Sequence, residues 1–320
     1  MNEYFVAWWN LENLFDVENS TNRPDWLQKS LEKELKGWSQ NILNTKLNQL
    51  AKIIPKLNNN KGPDILGVCE IENKPVLEKL NNCLNIPNRK YEIIHEDTKD
   101  KRGIDVAFIV DENKFCFNEK FSHFILKRTA TRDLFQINLK SKYSQKELIL
   151  IGNHWPSRRG GDFETEPYRI LAAETLSYWL KRIQEIKGKD IAIVIMGDFN
   201  DEPFNRSMTQ YALSTRNRTK VKNSKTPRMY NLMWPVLGQS LGTYYYNNFP
   251  CLFDQFLLSK GFTIENAGFK AKVDSIRIEK FTGMYKGSYE VPRAFGRPSS
   301  SLDTQGFSDH FPISMVLQET

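Results

Sequence analysis

Short, nearly uniform apolar runs alternate along the chain with stretches whose apolar residues recur every three or four positions. EYFVAWW (residues 3–9) is dense in aromatic and β-forming side chains and predicts a strand. From Leu43 through Leu47, Leu50, Ile54 and Leu57 the spacing is helical, and Asn58-Asn59-Asn60-Lys61-Gly62-Pro63 breaks it. DILGVCE predicts a short buried strand, a helix follows near Pro75–Leu84, and YEIIHE, IDVAFIV, DLFQINLK and ELILIGNHW read as further strands. Pro167 is expected to open the best helix, with Ile170, Leu171, Leu176, Trp179, Leu180, Ile183 and Ile186 on its apolar side and Gly188 near its end. DIAIVIMG is almost wholly apolar, which predicts a strand covered on both faces. LFDQFLLS and FPISMVLQ supply late strands. Helix and strand interleave with no repeat and no long linker, so the economical organisation is one α/β domain over residues 1–320.

At 320 residues, 40% hydrophobic and 26% charged, the chain can bury a sizeable core and is excluded from the disordered class. No apolar run approaches the roughly 18 residues of a membrane span. The start, MNEYFVAWWNLENLFD, lacks the basic-then-apolar order of a secretory signal, so a cytoplasmic protein without membrane association is expected. Cys69, Cys83, Cys116 and Cys251 show no CxxC spacing, and buried free thiols are expected rather than disulfides or zinc ligands.

Lysine and arginine number 45 against 38 acids, a net +7. The excess is local. Between Glu202 and Asp254 no acid occurs, while Arg206, Arg216, Arg218, Lys220, Lys222, Lys225 and Arg228 do. Such a stretch reads equally as a footprint for a polyanion or as a solvated loop.

Polar residues cluster where the apolar strands end. EYFVAWW runs into Asn10 and Glu12, DILGVC into Glu70, LILIGN into His154, and DIAIVIMG into Asp198 and Asn200. LFDQFLLS carries Asp254 near its start, and Ser308-Asp309-His310 precedes the last strand. Burying carboxylates, amides and imidazoles is cheap only if they converge on a cation or on each other. Hard oxygen ligands select Mg²⁺ or Mn²⁺ over zinc, and such ions serve phosphate-ester chemistry. Each junction alone also reads as an ordinary loop acid or Asx turn; six in one chain do not.

These junctions resemble the motifs of the endonuclease/exonuclease/phosphatase superfamily, in that superfamily's order: WWNLENLF, DILGVCEIEN, TRDLFQINL, IGNHWPSRRGG, IMGDFND, CLFDQFLLS and GFSDHFP. The resemblance spans about Phe5 to Phe311, and RGIDVAF adds to it. It implies a deoxyribonuclease-like four-layer sandwich, two packed mixed β-sheets flanked by helices. It implies Mg²⁺ (or Mn²⁺) held by Glu70 with Asn10 and Asp309. His310 is then the general base, oriented by Asp254; Asp198 and Asn200 hold the attacking water or the scissile phosphate. His154 donates to the phosphate and Arg132 adds positive charge there. Arg158 and Arg159, beside Gly160-Gly161, read equally as grips for a flanking phosphate or as surface charges. His95 and His123 lack such context and read as structural. Glu12 stands where apurinic endonucleases carry Asp, and Cys69 replaces the Gln that commonly precedes the metal-binding Glu. Residues 204–250, taken as a basic substrate-side insertion, and 270–307 match no subgroup and are expected to choose the substrate.

Three functions compete. A nuclease is favoured by the acid-free stretch and by aromatics interleaved with cations: Arg277, Lys280, Phe281, Tyr285, Lys286, Tyr289, Arg293, Phe295 and Arg297. A phosphoesterase for inositol phosphates or sphingomyelin-like lipids is the alternative; against lipid, no exposed apolar hairpin is evident. A non-catalytic interaction protein would break at least one motif, and none is broken. The expected partner is nucleic acid, and nothing in the sequence points to a protein partner.

Overall fold

The computed structural model describes residues 2–128 and 130–320. β1 (Asn2–Leu14) is followed by α1 (Asp25–Leu35), α2 (Gln40–Ile53) and a single turn, α3 (Leu57–Asn60). Next come β2 (Ile65–Ile71), α4 (Lys74–Cys83), β3 (Tyr91–His95), β4 (Asp105–Asp111), β5 (Phe115–His123), β6 (Leu134–Ser141) and β7 (Glu147–His154). The long α5 (Asp162–Lys187) leads to β8 (Ala192–Asp198), β9 (Ser214–Thr215), α6 (Arg218–Lys222) and β10 (Met229–Asn231). A small hairpin, β11 (Tyr244–Tyr246) and β12 (Phe249–Cys251), precedes β13 (Asp254–Leu258). β14 (Phe269–Ile278), a second hairpin of β15 (Tyr285–Lys286) and β16 (Val291–Pro292), and β17 (Ile313–Glu319) finish the order.

Two mixed sheets form. The first runs β14-β17-β1-β2-β4-β3 and the second β5-β6-β7-β8-β13-β10-β9. β1 lies between β17, antiparallel, and β2, parallel, so the two ends of the chain meet in one sheet. The alternation along β8 gives the layering: Ala192, Val194 and Met196 join the apolar cluster between the sheets, while Ile193 and Ile195 pack with Leu176 and Leu180 of α5. Leu43, Leu47 and Leu50 of α2 and Val76, Leu77 and Leu80 of α4 cover the far side of the first sheet. The expected four-layer α/β sandwich of deoxyribonuclease-like type is therefore present.

At two glycines the sheets approach closely. A Cβ on Gly67 of β2 would sit 2.9 Å from Met196 Sδ of the opposite sheet, and one on Gly152 of β7 would sit 2.5 Å from Val106 Cγ1 of β4. That spacing sets how near the strand ends of one sheet can come to those of the other.

Several expectations are corrected. α5 starts at Asp162, five residues before Pro167. Buried Arg169 ties the extra turn down by donating to the Asp162 carbonyl and carboxylate, and Thr165 Oγ1 donates to Gly161 O. Pro167 forgoes only one bond in an early turn. Its buried stripe is Thr165, Arg169, Ala172, Ala173, Leu176, Leu180 and Ile183, whereas Ile186 is exposed. Only Cys69 of the four free cysteines is buried; Cys83 is exposed. Residues 204–250 are not a single surface loop, because β9 and β10 extend the second sheet and Val221 of α6 is fully buried. β13 runs from Asp254, paired with Asp198, to Leu258, paired with Tyr230. Arg228 thus lies beyond the end of the sheet remote from Asp254, about 13 Å along the strand. Of the mixed aromatic and cationic set near residue 285, Phe295 is buried, and Lys280, Arg293 and Arg297 pair with Glu290, Asp303 and Glu34. Tyr289 and Lys286 remain exposed.

Gly152→Ala is expected to lower the unfolding free energy by about 1–3 kcal/mol, since the methyl group has no room between the sheets. Urea denaturation reads this directly; an unchanged midpoint would mean the sheets can part at no cost.

Candidate active site

Strand register delivers the site. β7 and β8 are parallel with His154 beside Asp198, and β13 is antiparallel with Asp254 beside Asp198. Three polar residues thus stand abreast at one end of the central strands of the second sheet. From the first sheet, Asn10 of β1 lies beside Cys69 of β2, one residue before Glu70. There β1 bulges: Leu11, Glu12 and Asn13 oppose the single residue Glu70 before pairing resumes at Leu14 and Ile71. Glu12 (φ 51°), Asn13 (54°), Glu70 (60°) and Asn200 (51°) all adopt left-handed backbone, which costs a non-glycine residue about 1–3 kcal/mol. Strain of this kind persists where the surroundings hold it, and Asn13, Glu70 and Asn200 carry it close to one point.

That point is the buried Asp198 carboxylate. Its Oδ2 accepts from Asn10 Nδ2 at 3.1 Å and lies 3.8 Å from both His310 Nε2 and His154 Nε2. Its Oδ1 accepts the Asn200 backbone N–H at 2.9 Å. His310 Nδ1 is 2.7 Å from Asp254 Oδ2, and Trp8 Nε1 donates to the other Asp254 oxygen at 3.0 Å. Trp9 Nε1 donates to His310 O, and Ser308 Oγ donates to Asn10 O at 2.6 Å, fastening the Asp309-His310 turn to β1. His154 Nε2 is 3.5 Å from Glu70 Oε1. Glu70, Asn10, Asp198, Asn200, His154, Asp254, Asp309 and His310 are thus brought to one locus.

The charges there are crowded. Burial, then Asp254 and Glu70, push Asp198 up to about 6 against the opposing pull of His310. Desolvation, Glu12 and Glu70 push Asp309 up to about 7, with His310 and Lys46 pulling it back. Burial opposes a charge on His310, but Asp254, Asp198 and Asp309 outweigh it and raise the imidazole well above 6.5. His154 goes the other way: burial and the nearby Arg132 and Arg102 hold it well below 6.5, and so neutral.

The donor set fits a divalent cation. Among the described residues, no hydrogen-bond donor serves the Asp309 carboxylate, and Glu70 uses only Oε2, on Asn13 N–H. Both present oxygens, the ligand type Mg²⁺ and Mn²⁺ prefer. Asn10 is more engaged: its Oδ1 accepts Glu12 N–H while its amide nitrogen holds Asp198. Elsewhere, His95, Asp97 and Asp105 have ligand atoms within 4.8 Å of one another, but both His95 ring nitrogens already face carboxylates.

The arginines differ from expectation. Arg158 donates to Asn200 O, Asp162, Asp201 and Asn205 and lies over the Phe253 ring, so it braces the Asp198–Asp201 loop rather than standing free for a phosphate. Arg132 is buried against Trp155 O and Asp100, with its Nε–H unpartnered. Arg102 is partly exposed, 3.6 Å from Glu70 Oε1, and among the described residues its guanidinium makes no side-chain hydrogen bond; Arg159 is exposed as well. Glu12 does not join the locus; it accepts Phe295 N–H and Gly296 N–H and faces the buried Lys46 at 3.7 Å.

Sequence reasoning missed Arg102, Trp8, Trp9, Asn13, Lys46 and Tyr244, whose ring lies 4.9 Å from that of His310. For Arg102 the RGIDVAF motif was a usable signal. The tryptophans looked like core, and they are core, with their indole N–H groups spent on the site.

A two-sheet sandwich with acids, amides and imidazoles converging at its strand ends is the hydrolase fold of phosphoesterases. The chain belongs to the endonuclease/exonuclease/phosphatase family, whose sequence profile matches residues 5–319. Among curated proteins no sequence matches it. Its fold is similar to that of humanized D. rerio TDP2 (15% identity, TM-score 0.59, 99% of each chain covered). It is also similar to a mannosyl-6-phosphatase of Bacteroides thetaiotaomicron (16%, 0.58, covering 98% of this chain and 99% of that one). The human nocturnin catalytic domain with bound sulfate gives 15% and 0.57, over 99% and 94%. At these identities the likeness is one of fold alone. Among the described residues no helix is long and apolar enough to cross a membrane.

Asp254→Asn should bring the His310 pKa down toward its ordinary value, as read by NMR titration of the imidazole in cation-free protein. A raised histidine contributes fully below 6.5 and loses that contribution as pH rises through its folded value, so the variant should lose more stability at pH 6 than at high pH. An equal loss at all pH values would contradict the pairing.

Proposed function

We propose that this protein is a Mg²⁺- or Mn²⁺-dependent phosphodiesterase that cuts nucleic acid by in-line attack of water. The observation that carries the proposal is the convergence of both imidazoles and the Asn10 amide on Asp198 Oδ2, with Asp254 behind His310. Where a bound cation offsets Asp198 and Asp309, which otherwise hold a proton on His310, the imidazole would be neutral and its Nε2 would take the proton of the attacking water. Asp254, itself held by Trp8, fixes the ring and stabilises the imidazolium that forms. Asp198 and Asn200 orient the water against the phosphorus. His154, held neutral, donates a hydrogen bond to a non-bridging oxygen, and Arg132 adds positive charge from behind it. Arg102, rather than Arg158, is the guanidinium free to meet the phosphate.

Glu70 and Asp309, with the Asn10 amide beside them, are the residues that would hold the cation. When bound, such an ion supplies charge: it offsets the crowded carboxylates and polarises the phosphoryl oxygens and the leaving group. What supports nucleic acid over a small phosphate is the line of cations on the outer edge of the second sheet. Arg218, Lys220, Lys222, Lys225 and Arg228 have no carboxylate within 4.0 Å among the described residues, and they extend well beyond the reach of a sugar or inositol.

Asp198→Asn and His310→Gln should each lower kcat by about 100-fold or more with the fold intact by circular dichroism. EDTA should abolish hydrolysis and Mg²⁺ or Mn²⁺ restore it. The panel is single-stranded DNA, duplex DNA, RNA, abasic DNA, mannose 6-phosphate, an inositol phosphate and sphingomyelin. Hydrolysis confined to the last three would overturn the nuclease assignment, and undiminished hydrolysis in EDTA would overturn the cation.

A further inference from the structure

The β11–β12 hairpin, whose sequence signalled no structure, is fastened directly to the site. Phe311 N–H donates to Thr243 O at 2.8 Å, and Asp254 N–H to Thr243 Oγ1 at 3.1 Å. Gly242 lies so close to β12 that a Cβ there would sit 2.5 Å from Cys251 N. Tyr244 continues a stack of rings: its centroid is 4.9 Å from that of His310 and 5.6 Å from that of Phe253, and the Arg158 guanidinium covers Phe253.

Strand geometry then decides what the hairpin displays. Side chains two apart share a face, as do directly opposed cross-strand residues. Tyr244 opposes Cys251 and Tyr246 opposes Phe249, so all four lie on the face turned to His310. Tyr246 and Phe249 stand about 7 Å outward of Tyr244 along the strand. They are 65% and 75% exposed, a large aromatic pair left open to water beyond the Tyr244 ring that packs on His310. The expectation that no exposed apolar hairpin exists is therefore corrected.

We infer that Tyr246 and Phe249 form a stacking platform for an unpaired nucleobase next to the scissile phosphate. This rests on the nuclease reading and narrows it to single-stranded or frayed substrate, since a base stacked inside a duplex offers no free face. Both exposed side chains are rings, with no aliphatic residue at the tip. The turn between them is Asn247-Asn248, both left-handed at φ 49° and 67°. Two side-chain amides at the leading end would be costly in hydrocarbon, which disfavours a bilayer as the occupant.

The test compares the full chain with its Tyr246→Ala/Phe249→Ala variant. Both positions are exposed, and Phe249→Ala alone serves as the milder change. KM for single-stranded oligothymidylate should rise about tenfold in the double variant, with kcat little changed. An oligomer of abasic sites should be cut equally by both proteins. Equal KM values on oligothymidylate would overturn the platform and leave the nuclease standing. A wild type that cuts no nucleic acid would overturn both. Binding of sphingomyelin vesicles that is lost in the variant, with KM on oligothymidylate unmoved, would reassign the hairpin to a membrane surface and overturn the base-stacking role.

Discussion

One buried carboxylate, that of Asp198, is held from two sheets at once. Its own sheet supplies His154 and Asp254 as immediate neighbours in register, and the opposing sheet supplies the Asn10 amide. Neither sheet alone can satisfy it. A buried anion without such partners would cost several kcal/mol, so the strand ends of the two sheets must meet where Asp198 lies. The close approach at Gly67 and Gly152, the bulge in β1, and the anchoring of the Asp309-His310 turn to Asn10 O all serve that meeting.

The arrangement is held against its own preferences. Glu12, Asn13, Glu70 and Asn200 take a backbone conformation that side chains disfavour, and Asp198, Asp309 and Glu70 crowd like charges together. Proteins retain such cost where it is part of the work. The compensation is visible in the surroundings. Trp8, Trp9, Lys46 and the Arg158–Asp201–Arg169 group spend their donors on groups that carry the site rather than on a substrate.

Much of this was legible in the sequence. Strands such as DIAIVIMG are so uniformly apolar that their polar successors had to lie at an end, and the hydrophobic pattern alone therefore located Asp198, Asn200, Glu70 and His154. What the pattern could not convey was who holds whom. An arginine beside a glycine pair looks the same whether it meets a phosphate or braces a loop, and Arg158 does the second. Tryptophan reads as core whether or not its indole nitrogen holds a buried carboxylate, as that of Trp8 holds Asp254. β5 escaped notice because most of its side chains face water, which removes the alternation that marks a strand. The start of α5 was misplaced because buried Arg169 and its Asp162 partner, not proline, fix it. The β11–β12 hairpin turns on an asparagine pair that resembles any other polar tip.

The pairing of β1 with β17 brings Trp9 against His310, 301 positions away along the chain. Contacts so distant in sequence form late and slowly, because the loop between them must close before they return anything. During synthesis the nascent chain will carry its acids and amides for most of translation without the imidazole that completes them. The cluster is therefore incomplete until the final strand docks, and any product shortened at that end lacks both His310 and the strand that pairs with β1.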